Sequence, residues 1–195
     1  MGNEQPMSSR EKAVAVAKDV LKHVQTYHWT RGIYLSGTWW RGTPWTGDLR
    51  DHIKEVEDTC AMCLLGACLV SKARLFDDVA VNRLYNAYFV DSKLDYAFVN
   101  PSREVVGSLL RDIFSPLEMA KIESAFERRV MDYDYGGDIP VDTHALLLGA
   151  AAFGRMFVDN ADRVTAVMEN IIANDGTFVV DPVTVAEYKT ALCTQ

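Results

Sequence analysis

A chain of 195 residues, 49% of them hydrophobic and 24% charged, can bury a core without help from a metal or a disulfide. Its 27 acidic and 20 basic residues leave a formal charge of −7. That balance excludes a protein whose affinity comes from neutralising many phosphates, so no nucleic-acid partner is expected. The polar start, Met1 to Arg10, has no signal-peptide core, and the longest uncharged apolar run, Cys60 to Val70, is too short for a bilayer. No membrane partner is expected, and three of the four cysteines lie in that apolar run as thiols used for packing. A reducing, cytoplasmic setting fits this usage.

In chain order, Ser8-Ser9-Arg10-Glu11 reads as a capping box opening a helix. Val14, Ala17, Val20, Leu21 and Val24 form its apolar face, and the pattern fails near His28. Residues 29 to 57 differ: Gly32, Gly37, Gly42, Pro44 and Gly47 punctuate a segment that holds all four tryptophans within 17 residues. The spacing allows a short hairpin, Ile33 to Leu35 against Trp39-Trp40, or a loop with no strands.

A helix over about 60 to 73 is apolar all round, as is a second over about 144 to 157, so both are expected at the centre of the domain. Each contains Leu-Leu-Gly-Ala, at 64 to 67 and 147 to 150, and small residues there predict that the two helices pack near Gly66 and Gly149. Further helices are expected over 79 to 90, 102 to 114, 116 to 134, 160 to 174 and 182 to 193. Ser115-Pro116-Leu117-Glu118 marks the clearest start. Asp181-Pro182 opens the last helix, and Asn174-Asp175-Gly176 closes the one before it. The expected fold is all-α, a single globular domain over 1–195 of seven or eight helices with a Trp/Gly-rich loop or short hairpin. Phe98 to Val105 and Phe157 to Val164 echo each other faintly. Their unequal distances from the two glycines argue against a clean tandem duplication, and leave halves of about 8–114 and 115–195 as a weak internal repeat.

Trp29-Thr-Arg-Gly32 after an N-terminal helix, then Cys63-Leu-Leu-Gly-Ala67, then Asn100 followed by Val105 and Leu109, form a set that resembles a small uncharacterised actinobacterial and actinophage protein family. The resemblance spans about residues 13 to 114. It departs at Pro101, where the family has Asp, and in the Trp-rich insertion. It implies common origin and fold, and no activity.

Three motifs could carry chemistry. Cys60, Cys63 and Cys68 with His52 suggest zinc. On a helix, however, Cys60 and Cys63 lie about 60° apart while Cys68 lies about 140° from Cys63, and a second ligand pair is missing. Asp132, Asp134, Gly137, Asp138 and Ile139 resemble a calcium loop, but Thr143 stands where the bidentate Glu belongs. An acidic connection in which Asp142 caps the next helix explains the same residues. His144 beside Asp142 lacks any nucleophile or phosphate-loop motif around it. No catalytic residue, metal ligand or cofactor is therefore assigned. The alternative is a small metal-dependent enzyme or calcium-binding protein using loop 132–142 and His144.

The Trp cluster remains. Trp29 is expected to anchor the segment, while Tyr34, Trp39, Trp40, Arg41 and Trp45 have the composition of a binding hot spot. The expected function is a non-enzymatic interaction protein, phage- or actinobacterium-encoded, binding a host protein or itself through segment 33–47. A homo-oligomer built on that segment is the variant in which the partner is the chain's own copy.

Overall fold

A computed structural model describes residues 6–40, 47–76, 79–84, 96–99, 101–131 and 143–188. The protein is mainly helical. Among these residues it has seven α-helices, a further α-helical turn over 185–188, two short 3-10 turns and a four-stranded sheet, so the all-α expectation is corrected by the sheet.

The first helix, α1 (Ser9–His23), starts at the expected capping box. The Ser8 side chain accepts from the Glu11 amide, and the Glu11 carboxylate accepts from the Ser8 amide at 2.7 Å. Strands β1 (His28–Trp29), β2 (Leu35–Trp40), β3 (Ala61–Met62) and β4 (Tyr96–Val99) assemble in the order β1-β3-β2-β4. The anticipated hairpin is absent because β2 is one continuous strand. Its first two residues pair antiparallel with β3, and Gly37 to Trp40 pair antiparallel with β4.

Between β2 and β3 lie a 3-10 turn (Leu49–His52) and α2 (Ile53–Thr59). Cys60 is extended, so the apolar run from 60 does not begin as a helix. It forms β3 first, and only then α3 (Leu64–Phe76), whose residues Leu64 to Ala73 are all buried. In place of a helix from 79, Ala80 bridges Asp48 and is followed by a 3-10 turn (Val81–Arg83); residues 85–90 of that expected helix lie outside the described residues.

Ser102 caps α4 (Arg103–Leu110), and Ser115 with Pro116 at the first turn opens α5 (Pro116–Glu127) as expected. α5 ends well before 134 because Arg128 turns left-handed at φ 62°, in the manner of a terminating glycine. Then follow α6 (His144–Arg155) and α7 (Asn160–Ala173), the latter capped by Asp159. The last helical turn, 185–188, starts at Thr184 rather than Asp181; Thr184 and Glu187 form a second capping box. Residues 189–193 of that expected helix lie outside the described residues.

The two Leu-Leu-Gly-Ala helices do not meet at their glycines. A Cβ on Gly66 would lie 1.5 Å from the Tyr34 carbonyl oxygen, and one on Gly149 would lie 1.9 Å from that of Asp181. Each glycine lets an extended segment cross its helix. The centre is α5, which touches α3, α6 and α7, and every residue from Met119 to Glu127 is buried. α1 completes the core by packing on α3 and α7.

Burying α5 means burying its charges, and each has a partner, as low dielectric demands. The Lys121 ammonium donates to the Phe178 carbonyl and pairs with Glu118 at 2.6 Å. Glu123 accepts from the Tyr34 hydroxyl at 2.7 Å, and Glu127 from the Gly32 amide at 2.7 Å. Arg163 of α7 is 1% exposed and donates to the carbonyls of Phe126, Gly154, Phe157 and Val158 and to the Asn160 side chain. It closes the C-terminal ends of α5 and α6 together, where helix dipoles favour a cation.

Candidate interaction surface

The Trp-rich segment is rooted at the centre of the molecule. Trp29 is half-buried; its Nε1 donates to the Val24 carbonyl at 2.8 Å, and its ring meets Tyr27 edge-on at 5.5 Å and Phe126 at 6.0 Å. This is the anchoring role its sequence position suggests. Gly32 follows at φ 77°, a left-handed turn that suits glycine, and its amide is held by Glu127. Tyr34 is buried. Its hydroxyl donates to Glu123 and accepts from Arg103 Nε at 3.0 Å, while Arg103 Nε lies 3.9 Å from the second Glu123 oxygen. Leu35 is fully buried against the core. Tyr34 thus faces inward and fixes the strand, whereas it was expected among the contact residues.

Beyond Ser36 the strand continues along β4, with Trp39 opposite Ala97 and Trp40 opposite Tyr96. Arg41 and Trp45 lie outside the described residues, as do Asp132, Asp134, Asp138 and Asp142 of the acidic connection. His144 is exposed as the first residue of α6, and His52 closes the 3-10 turn before α2, so the two histidines stand on separate elements.

The three thiols of the 60–68 run are buried and free. Burial raises the Cys60 pKa to about 11 and that of Cys68 to about 12, and it pushes Cys63 up further beside Glu123 and Glu127. At neutral pH all three are protonated, which suits packing and disfavours nucleophilic attack. Cys60 and Cys63 flank strand β3 rather than sharing a helix with Cys68, so the angular argument against a zinc site does not apply to them. Among the described residues no group of three His, Cys, Asp or Glu is arranged to hold a metal ion, and no helix is long and apolar enough to cross a membrane.

A charged cluster gathers around Arg74 near the end of α3. Arg74 bridges Asp19 of α1 and Glu57 of α2 and reaches the Tyr27 hydroxyl at 3.2 Å, while His23 Nδ1 lies 3.1 Å from the same Glu57 carboxylate. With one guanidinium spanning two carboxylates, the cluster ties α1, α2 and α3 together.

A second surface was not foreseen. Between α6, α7 and residues 179–188 runs a groove of about 600 Å³, walled by Ala152, Phe153, Met156, Val179, Val183 and Tyr188. Met156 is 72% exposed, and Val158, Val179 and Val185 in the adjoining stretches are exposed too. Ala152, Phe153 and Met156 belong to the run 144–157 that was expected at the centre of the domain, but Ala152 and Phe153 are only partly buried and Met156 is exposed. No protein-family model, curated protein or solved structure matches this chain.

Proposed function

We propose that this protein is a non-enzymatic interaction module that binds a protein partner through the Trp-rich segment 33–47. The observation that carries this reading is the rooting of β2. Glu123 and Glu127 of the central helix hold its base at Tyr34 and Gly32, while Gly37 to Trp40 run on along β4. A binding strand fixed at its root loses less conformational freedom on association, which favours affinity. Adjacent tryptophans followed by arginine are the residue types that dominate binding energy at protein interfaces. The family resemblance supports an actinobacterial or phage origin, with a host protein as the partner class. Self-association through the same segment is the second form of the reading.

The test is capture of a host protein by the parent chain beside Trp39→Ala/Trp40→Ala, with both shown to be folded by circular dichroism. A specific partner retained by the parent and lost by the double variant is expected. Equal capture by the two would overturn the assignment of this segment. Light scattering over a concentration series separates a host partner from self-association.

A further inference from the structure

The end of α5 gathers arginines. The Gly32 amide donates to the Glu127 carboxylate at 2.7 Å, so Arg31 and Arg128, their neighbours in the chain, are brought to one corner. Arg155 of α6 reaches the same corner: its Nε donates to the Arg128 carbonyl at 2.8 Å, and its guanidinium lies 4.7 Å over the Tyr188 ring. Arg163 of α7 arrives there too, donating to the Phe126 carbonyl. Arg31 and Arg128 both lie close enough to Arg163 to disfavour its charge. Arg31 and Arg129 are exposed, and Arg128 is half-buried.

The ordinary use of cations at helix ends does not account for Arg31 and Arg128. The carbonyls there are met by Arg155 and Arg163. The two carboxylates that act on Arg163 are already engaged by backbone amides, Glu127 by Gly32 and Asp159 by Ala161 and Asp162. Among the described residues neither the Arg31 nor the Arg128 guanidinium has a hydrogen-bond or ion-pair partner. Arg128 also stands at φ 62°, where glycine is the usual helix terminator. Residues held in this way cluster at binding clamps, where the side chain is used.

We infer that Arg31 and Arg128 receive an acidic segment of the protein partner, a run of Asp or Glu side chains laid on this corner. The inference rests on the reading of 33–47 as the binding segment. The Gly32 bond that roots that segment also pairs the two arginines, so the two surfaces are contiguous. A guanidinium matches both oxygens of a carboxylate. In a chain of net charge −7, a local concentration of positive charge steers an acidic segment to this face. The same net charge opposes the longer run of phosphates of a nucleic acid.

Fluorescence anisotropy of a labelled oligoglutamate peptide titrated with the full chain tests this, every variant being shown to be folded by circular dichroism. The parent is expected to bind, and Arg31→Gln/Arg128→Gln to bind at least ~10-fold more weakly. Lys18→Gln/Lys22→Gln removes the same charge from the exposed side of α1 and is expected to bind as the parent does. Raising the ionic strength from about 0.1 M to about 1 M shortens the screening length from about 10 to about 3 Å and is expected to abolish binding. Arg128→Gly should weaken binding with no fall in the urea midpoint, because glycine suits the left-handed turn. A lower midpoint would show that Arg128 is kept for packing. Equal loss in the two double variants, no binding by the parent, or tighter binding of a single-stranded oligonucleotide would each overturn the inference. So would binding that appears only once Asp132, Asp134, Asp138 and Asp142 are changed to Asn, since the chain's own acidic connection would then be the occupant. The titration makes no use of Trp39 or Trp40, so a failed titration beside partner capture that depends on them removes this inference alone.

Discussion

Replacing Arg163 by Met tests whether one buried guanidinium holds the second half of the molecule together. The side chain makes five hydrogen bonds, from 2.7 Å to Asn160 Oδ1 and the Phe157 carbonyl up to 3.2 Å to the Phe126 carbonyl. Burial, with Arg128 and Arg31 nearby, lowers its pKa to about 10, which leaves it cationic at neutral pH. A hydrogen bond to a charged group contributes about 1.5–3 kcal/mol, but five sharing one group are not additive. The better guide is the loss of one side of a buried charged arrangement, about 3–5 kcal/mol, because four carbonyls lose their donor where water has little access. That is a large share of a typical stability of about 5–15 kcal/mol. For a domain of this size it corresponds to a fall in Tm of about 6–20 °C. Arg163→Lys should lose about half as much, since an ammonium keeps the charge but cannot span the ends of both helices. Urea and thermal unfolding followed by circular dichroism measure both variants. Arg163→Met within about 1 kcal/mol of the parent would refute the reasoning, since it would mean the helix ends find other donors.

Gly66→Ala should destabilise by about 3 kcal/mol or more, because its Cβ would meet the Tyr34 carbonyl at 1.5 Å and backbone must move. Hydrogen exchange should show β2 losing protection first. Tyr34→Phe should cost about 1–3 kcal/mol, because it removes the hydroxyl that donates to the buried Glu123 carboxylate; an unchanged urea midpoint would remove the rooting argument. Asp112 accepts from Lys12 at 2.7 Å and from the buried Lys72 at 2.6 Å. Burial alone would raise its pKa, but the two lysines outweigh this and hold it below the usual carboxylate range. Its contribution is therefore present above the unfolded pKa of about 4 and lost as pH falls through the lower folded value. The stability gap between parent and Asp112→Asn should be full at pH 7 and shrink below about pH 4 in a urea series. Thiol labelling at pH 8 should leave Cys60, Cys63 and Cys68 unreacted in the folded chain and reach all three in guanidinium.

Much of the local structure was determined by short-range chemistry and was legible in the sequence. Ser8 with Glu11 and Ser115 with Pro116 start helices because a side-chain oxygen and a missing amide satisfy orphan donors within one turn. The apolar run 64–73 had to be enclosed, and it is. The anchoring of Trp29 followed from its place between a helix end and a glycine turn. What tertiary structure decided is which polar residues go inside. Lys121, Glu123 and Glu127 are charged residues of α5, yet all three are buried, and the partners that allow it are 57, 89 and 95 residues away. The same holds for Gly66 and Gly149, whose missing side chains admit the carbonyls of Tyr34 and Asp181 rather than each other. Cys60 to Met62 had the apolar character of a buried helix, yet Cys60 is extended and Ala61–Met62 form strand β3, paired with β1 on one side and β2 on the other. Burial of charge and pairing of backbone depend on what arrives from far along the chain, and no local pattern encodes that arrival.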